Sequence, residues 1–149
     1  MAVVSRAALI CDTGALLDYL VEGSTDHERF RDAIDGARAR YLPGLVLAEL
    51  DYFLRDERPA MNVFMSDVAR GAFTYAPPML HQLARAMEID RRYDELGLGL
   101  VDASVVALAE ELGIRRIATR DVRHFTAVRL RDGSAFELVV HPRGPDESE

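Results

Sequence analysis

The feature that most constrains this chain is an alternation of short apolar runs with longer amphipathic segments. Ala7-Ala8-Leu9-Ile10-Cys11 is a five-residue apolar run, the signature of a strand covered on both faces. It ends at Asp12-Thr13, a helix start, and Ala15 to Leu20 continue as helix until Glu22-Gly23-Ser24 interrupts it. A second helix, capped by Thr25 or Asp26, carries Phe30, Ala33, Ile34 and Ala37 on one stripe. Arg40 to Leu42 is a short strand before the Pro43-Gly44 turn; Leu45–Leu54 and Met61–Ala69 are helices; Phe73 and Tyr75 mark another strand. Met79–Tyr93 is amphipathic, Leu96–Leu100 is a loop, Val101–Leu112 is a helix, and Arg116–Thr119 and Phe136–Val140 are the last strands. Strands alternating with helices predict an α/β fold, a central parallel sheet with helices on both faces.

At 149 residues this is one domain, large enough to bury roughly 68–70% of its unfolded surface without disulfides or a structural metal. Residues 1–141 read as the domain and 142–149 (PRGPDESE) as a disordered acidic tail. Net charge is −7, and all 18 basic residues are arginine. The absence of lysine excludes a Walker phosphate loop and Schiff-base chemistry. The single cysteine, Cys11, excludes an internal disulfide, a redox CxxC pair and a multi-cysteine zinc site, and reads as a small buried hydrophobe. No apolar run approaches the ~20 residues of a membrane helix, and the N-terminus lacks the layout of a signal peptide. A reducing cytoplasm is the expected location.

The informative residues are acids where apolar residues belong. Asp12 directly follows the first apolar run, and Asp121 follows the strand Arg116–Thr119 by way of Arg120. Glu49 sits mid-helix, with Leu45, Val46, Tyr52 and Phe53 three and four positions away, the face expected to be buried. Asp102 opens a helix almost free of charge until Glu110. Taken singly, Asp12 and Asp102 read equally as helix caps, Glu49 as a core acid paired with arginine, and Asp121 as a turn residue. Taken together, they lie where open α/β sheets collect ligands, at the carboxyl ends of strands and the starts of helices. Several buried carboxylates in one place need compensation by arginine or a divalent cation. Oxygen-only ligands select magnesium or manganese, which suits phosphoryl hydrolysis.

Four segments, ICDTGALLDYL, LVLAELDYFL, YDELGLGLVDASVVALAEELG and IATRDVRHF, occur in this order between residues 9 and 125. In these segments the chain resembles PIN-domain nucleases, more narrowly the VapC-type toxins of type II toxin–antitoxin systems. The resemblance implies a PIN-like three-layer fold and a metal-dependent endoribonuclease that cleaves structured RNA, a tRNA or an rRNA loop. It implies that Asp12, Glu49, Asp102 and Asp121 are the acidic quartet that carries catalysis and holds Mg2+ or Mn2+. Thr13 and Thr119 match hydroxyl residues that position ligands or water, and Asp94 matches an acid that supports the quartet from behind. It also implies a small cognate antitoxin that sets a basic side chain into the acidic pocket, and a homodimer. The alternative is a non-catalytic PIN-like binding module.

An acidic nuclease must still hold RNA. Between Arg115 and Arg131 there are six arginines and one acid, Asp121, a local charge of +5. Guanidinium groups make bidentate phosphate contacts, so Arg120, Arg123 and Arg129 are expected to contact RNA. His124, beside Asp121, either packs locally or touches RNA. Asp-Thr after a strand also occurs in aspartate-nucleophile phosphatases. Gly14 occupies the position of their second acid and their lysine is missing. No GxSxG elbow of a serine hydrolase occurs.

Overall fold

The first apolar run forms β1, Ala8–Cys11, with Leu9, Ile10 and Cys11 wholly buried. The computed structural model describes residues 8–143. From β1 the chain runs through α1 (Thr13–Leu20) and α2 (His27–Asp35) to β2 (Ala39–Pro43), then α3 (Gly44–Phe53) and α4 (Arg58–Ala69) to β3 (Thr74–Ala76). It continues as α5 (Leu80–Arg92), a 3-10 turn (Asp94–Leu96), α6 (Gly99–Leu112), β4 (Arg116–Ala118), α7 (Val122–Ala127) and β5 (Glu137–Leu138). The expected tail, 142–149, lies outside the described residues beyond Arg143.

Among the described residues, five strands form one all-parallel sheet in the order β3-β2-β1-β4-β5, the predicted α/β architecture. The chain builds outward from β1 in one direction through β2 and β3. It then crosses back to place β4 and β5 on the other side. Ile10 pairs with Tyr41 of β2 and with Ile117 of β4, so β1 is the central strand. The gap between the carboxyl ends of β1 and β4 is where the strand order reverses, and a crevice opens there in sheets of this kind.

A parallel sheet must be covered on both faces. The described core gathers Leu16, Phe30, Ile34, Leu50, Phe64, Val105, Val106 and Phe125 around Leu9, Ile10, Leu42 and Ile117. α6 is buried along an uninterrupted stretch from Ala103 to Ala109. That explains why its sequence stays free of charge until Glu110. Burial pushes the Cys11 thiol up to about 12, so Cys11 is an inert core group.

Three elements differ from the sequence reading. Val122–Ala127, unassigned by pattern, is a helix: Asp121 caps it and Phe125 anchors it in the core. The expected loop Leu96–Leu100 is shorter, because α6 begins at Gly99. Gly97 (φ 68°) and Gly99 (φ 79°) take the left-handed backbone that makes the tight entry, and Asp90 Oδ1 accepts the Gly99 N–H at 3.0 Å. The expected strand Phe136–Val140 pairs only at Glu137–Leu138. An antiparallel bridge between Arg129 and Ala135 delays entry to the sheet, and the Phe136 ring packs edge-on to Phe125 instead.

Candidate active site

Asp12 stands one residue beyond β1, and its backbone N–H donates to Ala118 O at 2.9 Å. The ladder thus continues past both strands and brings Asp12 beside Thr119. The Thr119 hydroxyl, wholly buried, donates to Asp12 Oδ2 at 2.7 Å and accepts the Asp121 N–H at 3.0 Å. One hydroxyl therefore fixes Asp12 and Asp121, the first and last of the four expected acids, relative to each other. Gly14 follows at the start of α1, where a Cβ would meet Arg120 Cβ at 3.2 Å. The stem of Arg120 lies across that helix start.

Asp102 projects from the first turn of α6 and Glu49 from the middle of α3. Asp12, Glu49, Asp102 and Asp121 line one cleft of about 620 Å³, together with Thr13, Gly14, Phe53 and Leu100. Asp12 makes no capping bond to α1, which sets aside the cap reading for it. Asp121 is both cap and cleft residue: its Oδ1 accepts the His124 N–H at 3.0 Å. The expectation that Glu49 lies on a buried helix face is corrected. Val46 and Leu50 turn into the core, whereas Tyr52 and Phe53 are 60% and 52% exposed. The face that carries Glu49 fronts the cleft.

Burial pushes the Asp12 carboxyl up to about 7, and the Asp102 and Glu49 charges push the same way against the Thr119 hydrogen bond. Burial raises Asp102 to about 6; the His124 hydrogen bond opposes this, and the Asp121 and Glu49 charges add to it. Among the described residues, no arginine pairs with any of the four acids. Arg120, which lines the same cleft, is held by Asp18 and by Asp26 instead. Thr13 Oγ1, buried on the cleft wall, has no hydrogen-bond partner among the described residues. Uncompensated acids around an orphaned hydroxyl form an oxygen-rich donor set that fits a hard divalent cation. His124 stands against two of these acids, with Nδ1 2.6 Å from Asp102 Oδ2 and 2.8 Å from Asp121 Oδ2.

Residues 9–130 match the model of the PIN domain. The chain belongs to the PIN domain family. Its VapC-type character rests on a 34% identity over 134 residues to Ribonuclease VapC26 of Mycobacterium tuberculosis, which covers 88% of this chain and 99% of that protein. In fold, this PIN domain resembles the crystal structure of Mycobacterium tuberculosis VapC20, described as a toxin that cleaves the sarcin–ricin loop. The TM-score is 0.70 at 18% identity, over 90% of this chain and 99% of that one.

Within this PIN domain, the remaining expected site residues divide. Thr13 and Thr119 stand beside the acids as described. Asp94 is exposed on the 3-10 turn, outside the cleft, in a neighbouring hollow with Tyr93 and Arg123. Arg123 is exposed in that hollow. Arg129 is exposed too, and its guanidinium donates to the carbonyls of Thr126 and Val128 at the end of α7. Arg120 is engaged internally. Burial pushes Asp26 up, yet hydrogen bonds from Arg120, the Arg143 N–H and Arg29 hold it below the ordinary carboxylate range. Sequence reasoning took Asp26 only as a candidate cap and passed over Asp18, since an acid at either end of a helix carries no mark of burial. His124 was within reach: it stands three residues after Asp121, the spacing that turns a helix-cap acid and its third residue toward each other.

Proposed function

We propose that this PIN domain is a Mg2+- or Mn2+-dependent endoribonuclease and the toxin of a toxin–antitoxin pair. The observation that carries the reading is the convergence of four acids, from four separate elements, on one cleft at the switch point of the sheet, with no arginine paired to them among the described residues. Asp12, Glu49, Asp102 and Asp121 would hold the ion. When bound, such an ion polarises the phosphodiester and supplies a water that is acidic enough to attack it. The chain's own part is positional. Thr119 fixes Asp12 against Asp121, α7 orients Asp121, and the orphaned Thr13 hydroxyl is free to accept or donate a bond at the cleft wall. Arg123, exposed on α7, and Arg129, exposed just past its end, are suited to hold RNA phosphates.

The proposed substrate class is structured RNA, a tRNA or an rRNA loop, met in the cytoplasm. The proposed partners are a second copy of the chain and a small antitoxin that sets a basic group among the acids. The nuclease domain is proposed to run to residue 141, with 142–149 as an acidic extension. Among the described residues, no helix is long and apolar enough to cross a membrane.

The test is cleavage of end-labelled tRNA and of an rRNA stem-loop, with Mg2+, with Mn2+ and with EDTA, by the wild type and by Asp12→Ala. Ion-dependent cuts at discrete sites that vanish in the folded variant support the reading. Full activity in Asp12→Ala, or activity in EDTA, overturns it; RNA that is bound but never cut marks a binding module instead.

A further inference from the structure

His124 takes no part in the four-acid scheme, yet its side chain touches two of the four acids. Its Nδ1 hydrogen-bonds Asp102 Oδ2 at 2.6 Å and lies 2.8 Å from Asp121 Oδ2. Its backbone N–H donates to the other Asp121 oxygen, Oδ1, at 3.0 Å. Asp102 comes from the start of α6 and Asp121 from the cap of α7, so the imidazole is the direct link between two helix starts that otherwise meet across the cleft. The ring is mostly buried, its side chain 14% exposed, and the next residue, Phe125, is locked in the core.

We propose that His124 is a positioning residue: its Nδ1–H clamps Asp102 and Asp121 at the spacing that a divalent cation requires. This rests on the nuclease reading above. Ionised carboxylate oxygens only accept, so a ring nitrogen that faces them on two sides carries the proton. It therefore acts as a donor there, and Nδ1 is not a metal ligand. Two carboxylates held close repel one another; without the donor between them, Asp102 is free to turn toward solvent. The ion would then have to gather its ligands at the moment of binding. Hydrogen bonds to ligand groups from behind commonly carry about 10–100-fold in metal affinity. RNA contact is the rival role for this histidine, and the clamp geometry disfavours it because Nδ1 turns inward toward the acids.

The clamp is tested first in the metal-free wild type by long-range 1H–15N NMR, which reports whether Nδ1 or Nε2 carries the proton. A protonated Nδ1 in slow exchange is expected; a neutral ring protonated only at Nε2 overturns the proposal. This measurement needs no ion, so a wild type that failed to bind Mn2+ would overturn the nuclease reading while the Nδ1 proton was judged separately. Mn2+ affinity is then measured by calorimetry for the wild type, His124→Ala, His124→Asn and His124→Gln, with thermal melting as the check on folding. Asn places an N–H close to the Nδ1 position and Gln does not. Affinity is expected to fall about 10–100-fold in His124→Ala, to recover largely in His124→Asn and to stay low in His124→Gln. The Mg2+ concentration for half-maximal cleavage should move in parallel, with KM for RNA unchanged. Unchanged Mn2+ affinity in His124→Ala, rescue by Gln but not by Asn, or an effect confined to KM for RNA would each overturn it.

Discussion

Replacing Asp12 by Asn removes a buried charge and keeps the size of the side chain and an oxygen for the Thr119 hydroxyl. The folded Asp12 carboxyl sits at about 7 against an ordinary 3.8. Between those values the native state binds a proton that the unfolded chain has released. Stability therefore falls as pH rises through that window, and the loss is complete only above the folded value. At 1.36 kcal/mol per pH unit the charged form destabilises the ion-free protein by about 4 kcal/mol at about pH 8, and by about 2 kcal/mol at about pH 5. Asn mimics the protonated acid and escapes both. The variant should thus be the more stable protein in EDTA, with a margin that widens by about 2–3 kcal/mol from about pH 5 to about pH 8.

Urea unfolding followed by circular dichroism at the two pH values, in EDTA, measures that margin directly. Repeating the titration with Mn2+ adds the complementary half. The wild type should gain RT ln(1 + [L]/Kd) in stability from the ion, and Asp12→Asn, with one ligand neutralised, should gain far less. The same substitution should abolish ion-dependent RNA cleavage, so stability and activity move in opposite directions. An Asn variant less stable than wild type at about pH 8 in EDTA, or a margin that narrows as pH rises, would refute the argument that the acid is held uncompensated.

Three further variants test the surroundings. Thr119→Val keeps the buried volume but leaves the Asp121 N–H and the Asp12 carboxylate without their shared partner; a loss of about 1–3 kcal/mol in urea unfolding is expected, together with a more than tenfold fall in kcat. Arg120→Met strips the arginine from Asp18 and leaves the wholly buried Asp26 with Arg29 and the Arg143 N–H alone, for which about 1–3 kcal/mol of destabilisation is expected. RNA affinity of the folded fraction, measured at several salt concentrations, should keep its salt slope. Arg123→Ala with Arg129→Ala should do the reverse, leaving the melting temperature almost unchanged and lowering the slope of log affinity against log salt by about one to two.

Asp12 and Asp121 were legible because an acid at the end of an apolar run has few ordinary explanations, and a parallel sheet brings such ends together wherever its strand order reverses. Glu49 was legible for a partly mistaken reason. Tyr52 and Phe53 beside it are apolar and exposed, and a helical pattern of apolar residues does not distinguish a face that meets the core from one that rims a cleft. The basic stretch from Arg115 to Arg131 shows the same limit in charge. Its +5 counts arginines without their partners, yet Arg116 faces Glu137 and Arg120 faces Asp18 and Asp26. Those partners come from elements up to about a hundred residues away, so no local window can subtract them. Arg123 and Arg129 form no ion pair among the described residues; the first lies on α7 and the second just past its end, and α7 is the helix missing from the sequence reading. That helix ties the legible and the hidden parts of the site together: its cap is Asp121, its third residue is His124, and its core anchor, Phe125, holds both beside Asp102.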